Sequence, residues 1–131
     1  MIFVDTSVWY AAYVDEEPEH EQADALLAAP ADRLVTTDYI VDELLTLLVA
    51  RGHRPIAKVF GRLLWSGSLC QMVWVGQPDV KAAWEIFDSF DDKTWSFTDC
   101  VSYAVMKRLA IGEAFALDDD FKQFGFVEVK P

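Results

Sequence analysis

Four acidic residues stand where a predicted strand gives way to a helix, or within the first two turns of such a helix. Asp5 and Asp118 each follow an apolar segment directly, whereas Asp99 and Glu43 lie in the first and second turns of predicted helices. Because the carboxyl ends of parallel strands share one edge of a sheet, these acids are predicted to meet there. Crowded carboxylates repel one another unless a cation is present. Oxygen ligands of this kind favour Mg²⁺ or Mn²⁺.

Each acid also has a purely structural interpretation. Asp5 could cap the helix after it, and Asp99 lies three residues after Ser96, which is the spacing of a capping box. Glu43 could be a solvated residue of its helix. The metal-site hypothesis is favoured because all of these acids occur at strand-to-helix junctions, which lie on the same side of a parallel sheet.

The fourth acidic position is ambiguous in the sequence. Asp118 could be a turn acid, and Asp119 or Asp120 could equally be the functional residue. The pattern therefore predicts an acid in this run without selecting one.

The elements that would position these acids alternate along the chain. Strands are predicted at residues 2–4, 33–36, 69–75, 114–117 and 126–129. Helices are predicted after residue 5 with Thr6 or Ser7 as the cap, from Pro18 to about residue 30, and over residues 38–50, 53–65, 79–90, 96–109 and 121–124. Strands that alternate with helices in this way indicate an α/β fold with a mostly parallel sheet covered on both faces. The 131 residues fit a single domain, 1–131.

Composition and charge limit the possible functions. No apolar run approaches the roughly 18 residues of a membrane span, and the first residues do not resemble a signal peptide, so a cytoplasmic, soluble protein is expected. The net charge of −11 argues against nucleic-acid binding through bulk charge alone, although solubility explains most of this excess. Cys70 and Cys100 lie in apolar patterns and are predicted to be free buried thiols. The two histidines, His20 and His53, lie away from the acids, which disfavours histidine acid–base chemistry.

Four segments resemble the motifs of the PIN-domain nucleases, and in particular the toxin subunits of bacterial VapBC-type toxin–antitoxin pairs. They are residues 2–7 (IFVDTS), 36–44 (TTDYIVDEL), 96–104 (SFTDCVSYA) and 114–121 (AFALDDDF). The first and third are specific in this order and spacing, and the resemblance covers nearly the whole chain. It implies an α/β/α sandwich in three layers, built on a mostly parallel central sheet.

The resemblance also implies a function. It implies a metal-dependent endoribonuclease that uses Mg²⁺ or Mn²⁺ and leaves a 5′-phosphate and a 3′-hydroxyl. The catalytic metal ligands map to Asp5, Glu43, Asp99 and Asp118. Residues assigned to support of the ligands or to substrate contact are Thr6, Ser7, Ser96 and Asp120. The implied partners are an RNA substrate, a cognate antitoxin and a second copy of the chain in a homodimer.

Two further sets of side chains have competing interpretations. The best candidates for contacts to the RNA backbone are four basic residues, although a solvated helix face is the favoured interpretation of them: Arg51, Arg54, Lys58 and Arg62. Trp9, Tyr10 and Tyr13 could stack on bases, but packing in the core is the favoured interpretation.

Two rival functions remain open on the sequence. A non-catalytic PIN-like module could use the acidic rim to dock a basic partner segment, and metal titration would distinguish it. A receiver-type or phosphatase-type domain with an aspartyl phosphate is disfavoured, because Asp5 has no neighbouring acid and Lys107 lies within a helix.

Overall fold

The computed structural model describes residues 1–118 and 120–125, and the backbone of residues 127–129. The strands are β1 (Ile2–Val4), β2 (Leu34–Thr37), β3 (Gln71–Val73), β4 (Glu113–Phe115) and β5 (Val127–Val129). The helices are α1 (Thr6–Tyr13), α2 (His20–Leu26), α3 (Asp38–Ala50), α4 (Arg54–Trp65), α5 (Gln77–Ser89), α6 (Phe97–Arg108) and α7 (Asp120–Gln123). A short 3₁₀ helix, Ala31–Arg33, precedes β2.

The described strands form one sheet in the order β3-β2-β1-β4-β5, and every neighbouring pair is parallel. The chain runs outward from β1 to β3 and then crosses back to β4 and β5. Because such crossovers are right-handed, this reversal places α1–α4 over one face and α5–α7 over the other. The α/β/α sandwich predicted from the sequence is confirmed, and the carboxyl ends of all strands lie at one edge.

Apolar residues fill the space between the sheet and the helices on both of its faces. Phe3, Val4 and Val35 in the central strands are completely buried, and Phe3 contacts the ring of Phe121 from α7. A second buried cluster lies between α5 and α6. Cys70 and Cys100 are buried free thiols, as the apolar pattern around them predicts.

Helix caps fix the helices at the carboxyl edge of the sheet. The Thr37 side chain accepts a hydrogen bond from the Ile40 N–H and begins α3. The Asp38 Oδ1 accepts a hydrogen bond from the Val75 N–H at 2.7 Å, which ties the segment after β3 to the start of α3. Gly52, with a φ of +81°, allows the turn between α3 and α4.

Several predicted boundaries are wrong. Asp5, rather than Thr6 or Ser7, caps α1. Pro18 lies before α2, which starts at His20 and ends at Leu26. The predicted strand at 114–117 stops at Phe115, because the register pairs Phe115 with Val4, the last residue of β1.

The other strand differences are smaller. The second strand is shifted by one residue, and the third is reduced to Gln71–Val73. Of the predicted last strand, residues 127–129 are confirmed, and Phe126 lies outside the described residues. In the part of the chain that is described, no helix is long and apolar enough to cross a membrane.

An ion pair joins α5 to α6 behind the edge that carries the acids. The buried Asp79 accepts two hydrogen bonds from Arg108, from Nε at 2.7 Å and from Nη2 at 3.0 Å. Asp79 also accepts a hydrogen bond from the Gly76 N–H at the start of α5. The hydrogen bonds from Arg108 lower the pKa of Asp79, although burial opposes this. This pairing fixes α5 against α6, the helix that carries Asp99.

Replacing Arg108 with Ala should lower the free energy of unfolding by about 2 kcal/mol at neutral pH, because a buried carboxylate loses its charged partner. A lowered pKa stabilises the fold above the ordinary aspartate pKa of about 3.9 and ceases to do so as the pH falls through the lowered value. The difference from wild type should therefore shrink below about pH 4. Urea denaturation across this range measures it, with Lys107→Ala, its exposed neighbour, as the matched control. Equal losses for both variants would contradict the assignment.

Candidate active site

Asp5 lies at the end of the central strand and is 5% exposed. Its backbone N–H donates to the Phe115 carbonyl at 3.0 Å, which continues the β1–β4 pairing to this residue. Its Oδ2 accepts hydrogen bonds from the Ser7 N–H at 3.3 Å and from the Ser7 hydroxyl at 2.7 Å. The capping interpretation is therefore confirmed. Because only Oδ2 is used, Oδ1 stays available as a ligand atom.

Ser7 connects Asp5 to the segment that carries the fourth acid. While its hydroxyl donates to Asp5, its oxygen accepts a hydrogen bond from the Leu117 N–H at 3.2 Å. Leu117 directly precedes Asp118, so this single hydroxyl sets the position of two acidic residues. The assignment of Ser7 to support of the ligands agrees with this geometry.

Asp99 lies in the first turn of α6 and forms the capping box predicted from its spacing to Ser96. The Ser96 N–H donates to Asp99 Oδ2, and the Asp99 N–H donates to the Ser96 hydroxyl, both at 3.0 Å. Ser96 therefore orients this carboxylate in the way that Ser7 orients Asp5. As at Asp5, the cap engages one carboxylate oxygen.

The electrostatic interactions show that the acids come together. Burial raises the pKa of Asp5 to about 7; the Ser7 hydrogen bonds oppose this rise, and the charges of Asp118 and Asp99 add to it. Burial also raises the pKa of Asp99 to about 7, against the hydrogen bond from Ser96. The charges of Asp120, Asp118 and Glu43 raise it further. Acids from four separate segments thus act on one another at the carboxyl edge.

Two of the three candidates for the fourth position, Asp118 and Asp120, belong to this group. Asp118 acts on Asp5 and on Asp99, whereas Asp120 acts on Asp99 more strongly than Asp118 does. Asp118 is exposed and its Oδ1 accepts a hydrogen bond from the Asp120 N–H at 3.1 Å. Asp119, the third candidate, lies outside the described residues.

The site fits a divalent cation in the chemistry of its donors. Within the described residues, Asp5, Glu43 and Asp99 form no salt bridge with a basic side chain. No three acidic, histidine or cysteine side chains in that part of the chain stand close enough to hold one ion directly. Mg²⁺ commonly retains several waters and is bound through one or two carboxylates. The arrangement therefore suits an ion bound by few direct ligands.

A groove leads away from the acids along α1 and α3. It has a volume of about 300 Å³, and its lining includes Ser7, Tyr10, Arg51 and Asp118. The Arg51 guanidinium lies 4.9 Å from the centre of the Tyr10 ring. Of the four basic residues assigned to RNA, Arg51 is the one that lines this groove; the other three, on α4, are exposed: Arg54, Lys58 and Arg62.

The remaining candidates lie in the core or away from the acids. Trp9 and Tyr10 are buried, and Trp9 and Tyr13 pack against Phe60, so the core interpretation is confirmed. The Thr6 hydroxyl is buried and has no hydrogen-bond partner among the described residues. It is therefore poorly placed to contact substrate.

The two histidines have local roles. The His20 Nδ1 lies 2.8 Å from the Ala11 carbonyl, and His53 immediately precedes α4. Neither is among the groups that act on Asp5 or Asp99.

Comparison with known proteins identifies the family of this chain. The model of the PIN domain matches residues 2–127. The chain belongs to the PIN-domain family. The resemblance stated from four short motifs is thereby confirmed over almost the whole chain.

The similarity extends to characterised members of the family. The chain is 36% identical over 132 aligned residues to the 23S rRNA-specific endonuclease VapC20 of Mycobacterium tuberculosis. The match is the same for the strains CDC 1551 / Oshkosh and H37Rv, and the alignment covers all of this chain and 99% of each relative. The crystal structure of M. tuberculosis VapC20, described as a sarcin–ricin loop cleaving toxin, superposes with a TM-score of 0.91 at 33% identity, and each chain is fully covered.

A more distant structure shows the shared fold alone. A toxin–antitoxin complex from Klebsiella pneumoniae aligns with a TM-score of 0.63 at 11% identity, over 91% of this PIN-domain chain and 88% of the other. At this identity only the architecture is comparable.

The raised pKa of Asp5 predicts how stability depends on pH in metal-free buffer. Between about pH 4, near the pKa of an unfolded aspartate, and about pH 7, the folded protein holds a proton that the unfolded chain has released. The wild type should therefore lose stability as the pH rises through this window. Asp5→Asn, which keeps the cap, should gain up to about 4 kcal/mol relative to wild type between the two limits.

Urea denaturation in EDTA at several pH values measures this difference. Asp42→Asn, which removes an exposed acid of α3, is the matched control and should show little pH dependence relative to wild type. If the difference in the free energy of unfolding between Asp5→Asn and wild type does not change with pH, the Asp5 carboxylate is not desolvated in solution.

Proposed function

We propose that this protein is a metal-dependent endoribonuclease that hydrolyses RNA phosphodiester bonds. The observation that carries the proposal is the convergence of acids from four segments of the chain. Burial and neighbouring negative charge raise the pKa of two of these acids, Asp5 and Asp99. Such a cluster is costly in the absence of a cation and useful for binding one. The full-length similarity to an endonuclease of the same family supports the same chemistry.

The proposed cofactor is Mg²⁺ or Mn²⁺. Asp5 and Asp99 would bind it, with Glu43 and Asp118 acting through water. When bound, the ion supplies Lewis acidity that lowers the pKa of water and offsets negative charge on the reacting phosphate. Ser7 and Ser96 hold the two principal carboxylates by hydrogen bonds, so their orientation does not depend on the ion.

The proposed substrate is a structured ribosomal RNA. The relative that matches the full chain is named as specific for 23S rRNA and described as cleaving the sarcin–ricin loop, and we extend this substrate to the present protein. A ribosomal target places the enzyme in the cytoplasm. Arg51, on the groove beside Asp118, is the basic residue best placed to contact the RNA backbone.

The proposed biological role is that of a toxin controlled by an antitoxin. An antitoxin segment with an arginine could place a guanidinium against Asp5 and Asp99, because charge-assisted hydrogen bonds to carboxylates are strong. We also propose that the active form is a homodimer, in keeping with the family. A role as a non-catalytic docking module would need the same acids but no affinity for Mg²⁺ or Mn²⁺, and metal titration separates the two.

Removing the metal or either principal ligand should abolish RNA cleavage. We expect Asp5→Asn and Asp99→Asn each to reduce the rate by about 100-fold or more, and EDTA to do the same to the wild type, with recovery on addition of Mn²⁺ or Mg²⁺. Cleavage of a labelled sarcin–ricin RNA, followed on a gel, gives the rate and the product ends.

Asp42→Asn is the control for these variants, because Asp42 is exposed and adjoins Glu43; its rate should stay near wild type. Cleavage that persists in EDTA and leaves a cyclic phosphate would rule out the proposed chemistry.

Comparison of Asp118→Asn with Asp120→Asn should identify the fourth acid. We expect Asp118→Asn to weaken Mn²⁺ binding more, because Asp118 acts on both Asp5 and Asp99. An asparagine can still accept the hydrogen bond that begins α7, so the comparison isolates the charge. Isothermal titration calorimetry with Mn²⁺ measures it, and a larger loss for Asp120→Asn would reverse the assignment.

A further inference from the structure

Four aromatic side chains form a continuous strip across three helices at the edge that carries the acids. The members of this aromatic strip are Tyr39 of α3, Phe97 of α6, and Phe87 and Trp84 of α5. Ring centroids are 6.4 Å apart for Tyr39 and Phe97, 5.8 Å for Phe97 and Phe87, and 5.9 Å for Phe87 and Trp84. The strip therefore has no gap wider than a ring contact.

The inner end of the aromatic strip adjoins the candidate active site. Tyr39 precedes Glu43 by four residues on α3, so the two side chains lie on the same face of that helix. Phe97 lies two residues before Asp99, within the same first turn of α6. A chain of RNA with one phosphate at the acids would therefore have its neighbouring nucleotides within reach of these rings.

The outer end of the aromatic strip is open to solvent. Trp84 is 55% exposed and Phe87 is 42% exposed, whereas Tyr39 and Phe97 are half-buried against the cluster between α5 and α6. Large aromatic side chains are usually more buried than this in a soluble domain. Packing of the core therefore explains the inner rings but not the outer pair.

Because the protein is strongly acidic, RNA binding needs contacts that do not depend on charge. With 22 acidic and 11 basic residues, the net charge of −11 opposes a polyanion. Next to the outer rings, α5 carries two acidic residues, Glu85 and Asp88, and one basic residue, Lys81, so its net charge there repels phosphates. An aromatic ring, in contrast, binds the face of any base without using charge.

We propose that the aromatic strip is a base-stacking platform, on which nucleotides next to the scissile phosphate lie with their bases against Phe87 and Trp84. This inference rests on the proposed ribonuclease function and adds to it the surface that holds the RNA. The bases face the rings and the phosphates point away from α5, where Glu85 and Asp88 would repel them. Recognition of unpaired bases by aromatic side chains is a common way to bind RNA loops.

The test is RNA binding by strip variants in the Asp5→Asn background, with EDTA present so that no cleavage occurs. The probe is a short single-stranded RNA that carries 2-aminopurine, whose fluorescence falls when it stacks on an aromatic ring. Phe87→Ala and Trp84→Ala should each weaken binding by about 5- to 100-fold and restore the fluorescence of the bound probe. If both variants bind the RNA with the affinity of the parent and quench the probe to the same extent, the proposal is overturned.

Conservative variants separate stacking from apolar docking of a protein. Phe87→Tyr, which keeps a ring, should bind as the parent does, whereas Phe87→Leu, which keeps apolar bulk, should bind as weakly as Phe87→Ala. Trp74→Ala is the matched control: Trp74 is 65% exposed but stacks on Trp65 of α4, over the other face of the sheet. If the Phe87→Leu variant binds the RNA as tightly as the parent with Phe87, the proposal is overturned.

The state of assembly and the effect of salt provide two further readouts. If Trp84→Ala and Phe87→Ala change the oligomeric state in light scattering and leave RNA affinity unchanged, the strip is a subunit contact and the proposal fails. The loss of RNA affinity caused by Phe87→Ala should not change as the salt concentration is raised. The loss caused by Arg51→Ala should become smaller, because contacts to phosphates weaken with salt.

Cleavage assays keep this inference distinct from the proposed function. If the wild type does not cleave RNA, the ribonuclease assignment fails, and if Asp5→Asn cleaves as the wild type does, the placement of the active site at Asp5 fails. If Asp5→Asn abolishes cleavage and the strip variants bind RNA normally, only the stacking platform fails.

Discussion

The repulsion between carboxylates at the carboxyl edge of the sheet is the constraint on which the rest of the structure depends. Asp5 is buried and Asp99 is half-buried, both close to further acids, and the pKa of each is raised to about 7. The fold tolerates this because each carboxylate is fixed by hydrogen bonds from its own helix terminus. An N-cap favours a negative charge, so the helix starts offset part of the repulsion and maintain the arrangement before any cation binds.

The same groups therefore serve both the fold and the site. Ser7 and Ser96 are ordinary participants in helix capping, yet each also orients an acid. The sequence alone presents capping and metal binding as competing explanations for Asp5 and Asp99, whereas the structure shows capping at one oxygen of each carboxylate and leaves the other oxygen to a ligand. The two explanations are compatible because a carboxylate has two oxygens.

Much of the architecture could be predicted from the sequence, because the apolar segments and helix caps are local signals. The order of strands and helices, the parallel sheet and the meeting of the acids all follow from such signals. The sequence leaves the cap of α1 open because Asp5, Thr6 and Ser7 are all good capping residues, and only the backbone geometry selects Asp5. The hydrogen bond from Leu117 to Ser7 joins residues 110 positions apart, and no local pattern indicates it. The aromatic strip was missed for the same reason, since its rings come from three helices.

The double role of Asp5 also affects how this protein can change by mutation. A single base substitution in an aspartate codon gives asparagine, which caps a helix about as well. Loss of the reactive carboxylate therefore need not expose the core, and an inactivated copy would escape the proteolysis that removes misfolded chains. Under the proposed function, such copies would persist in a population as intact proteins that still bind the proposed antitoxin.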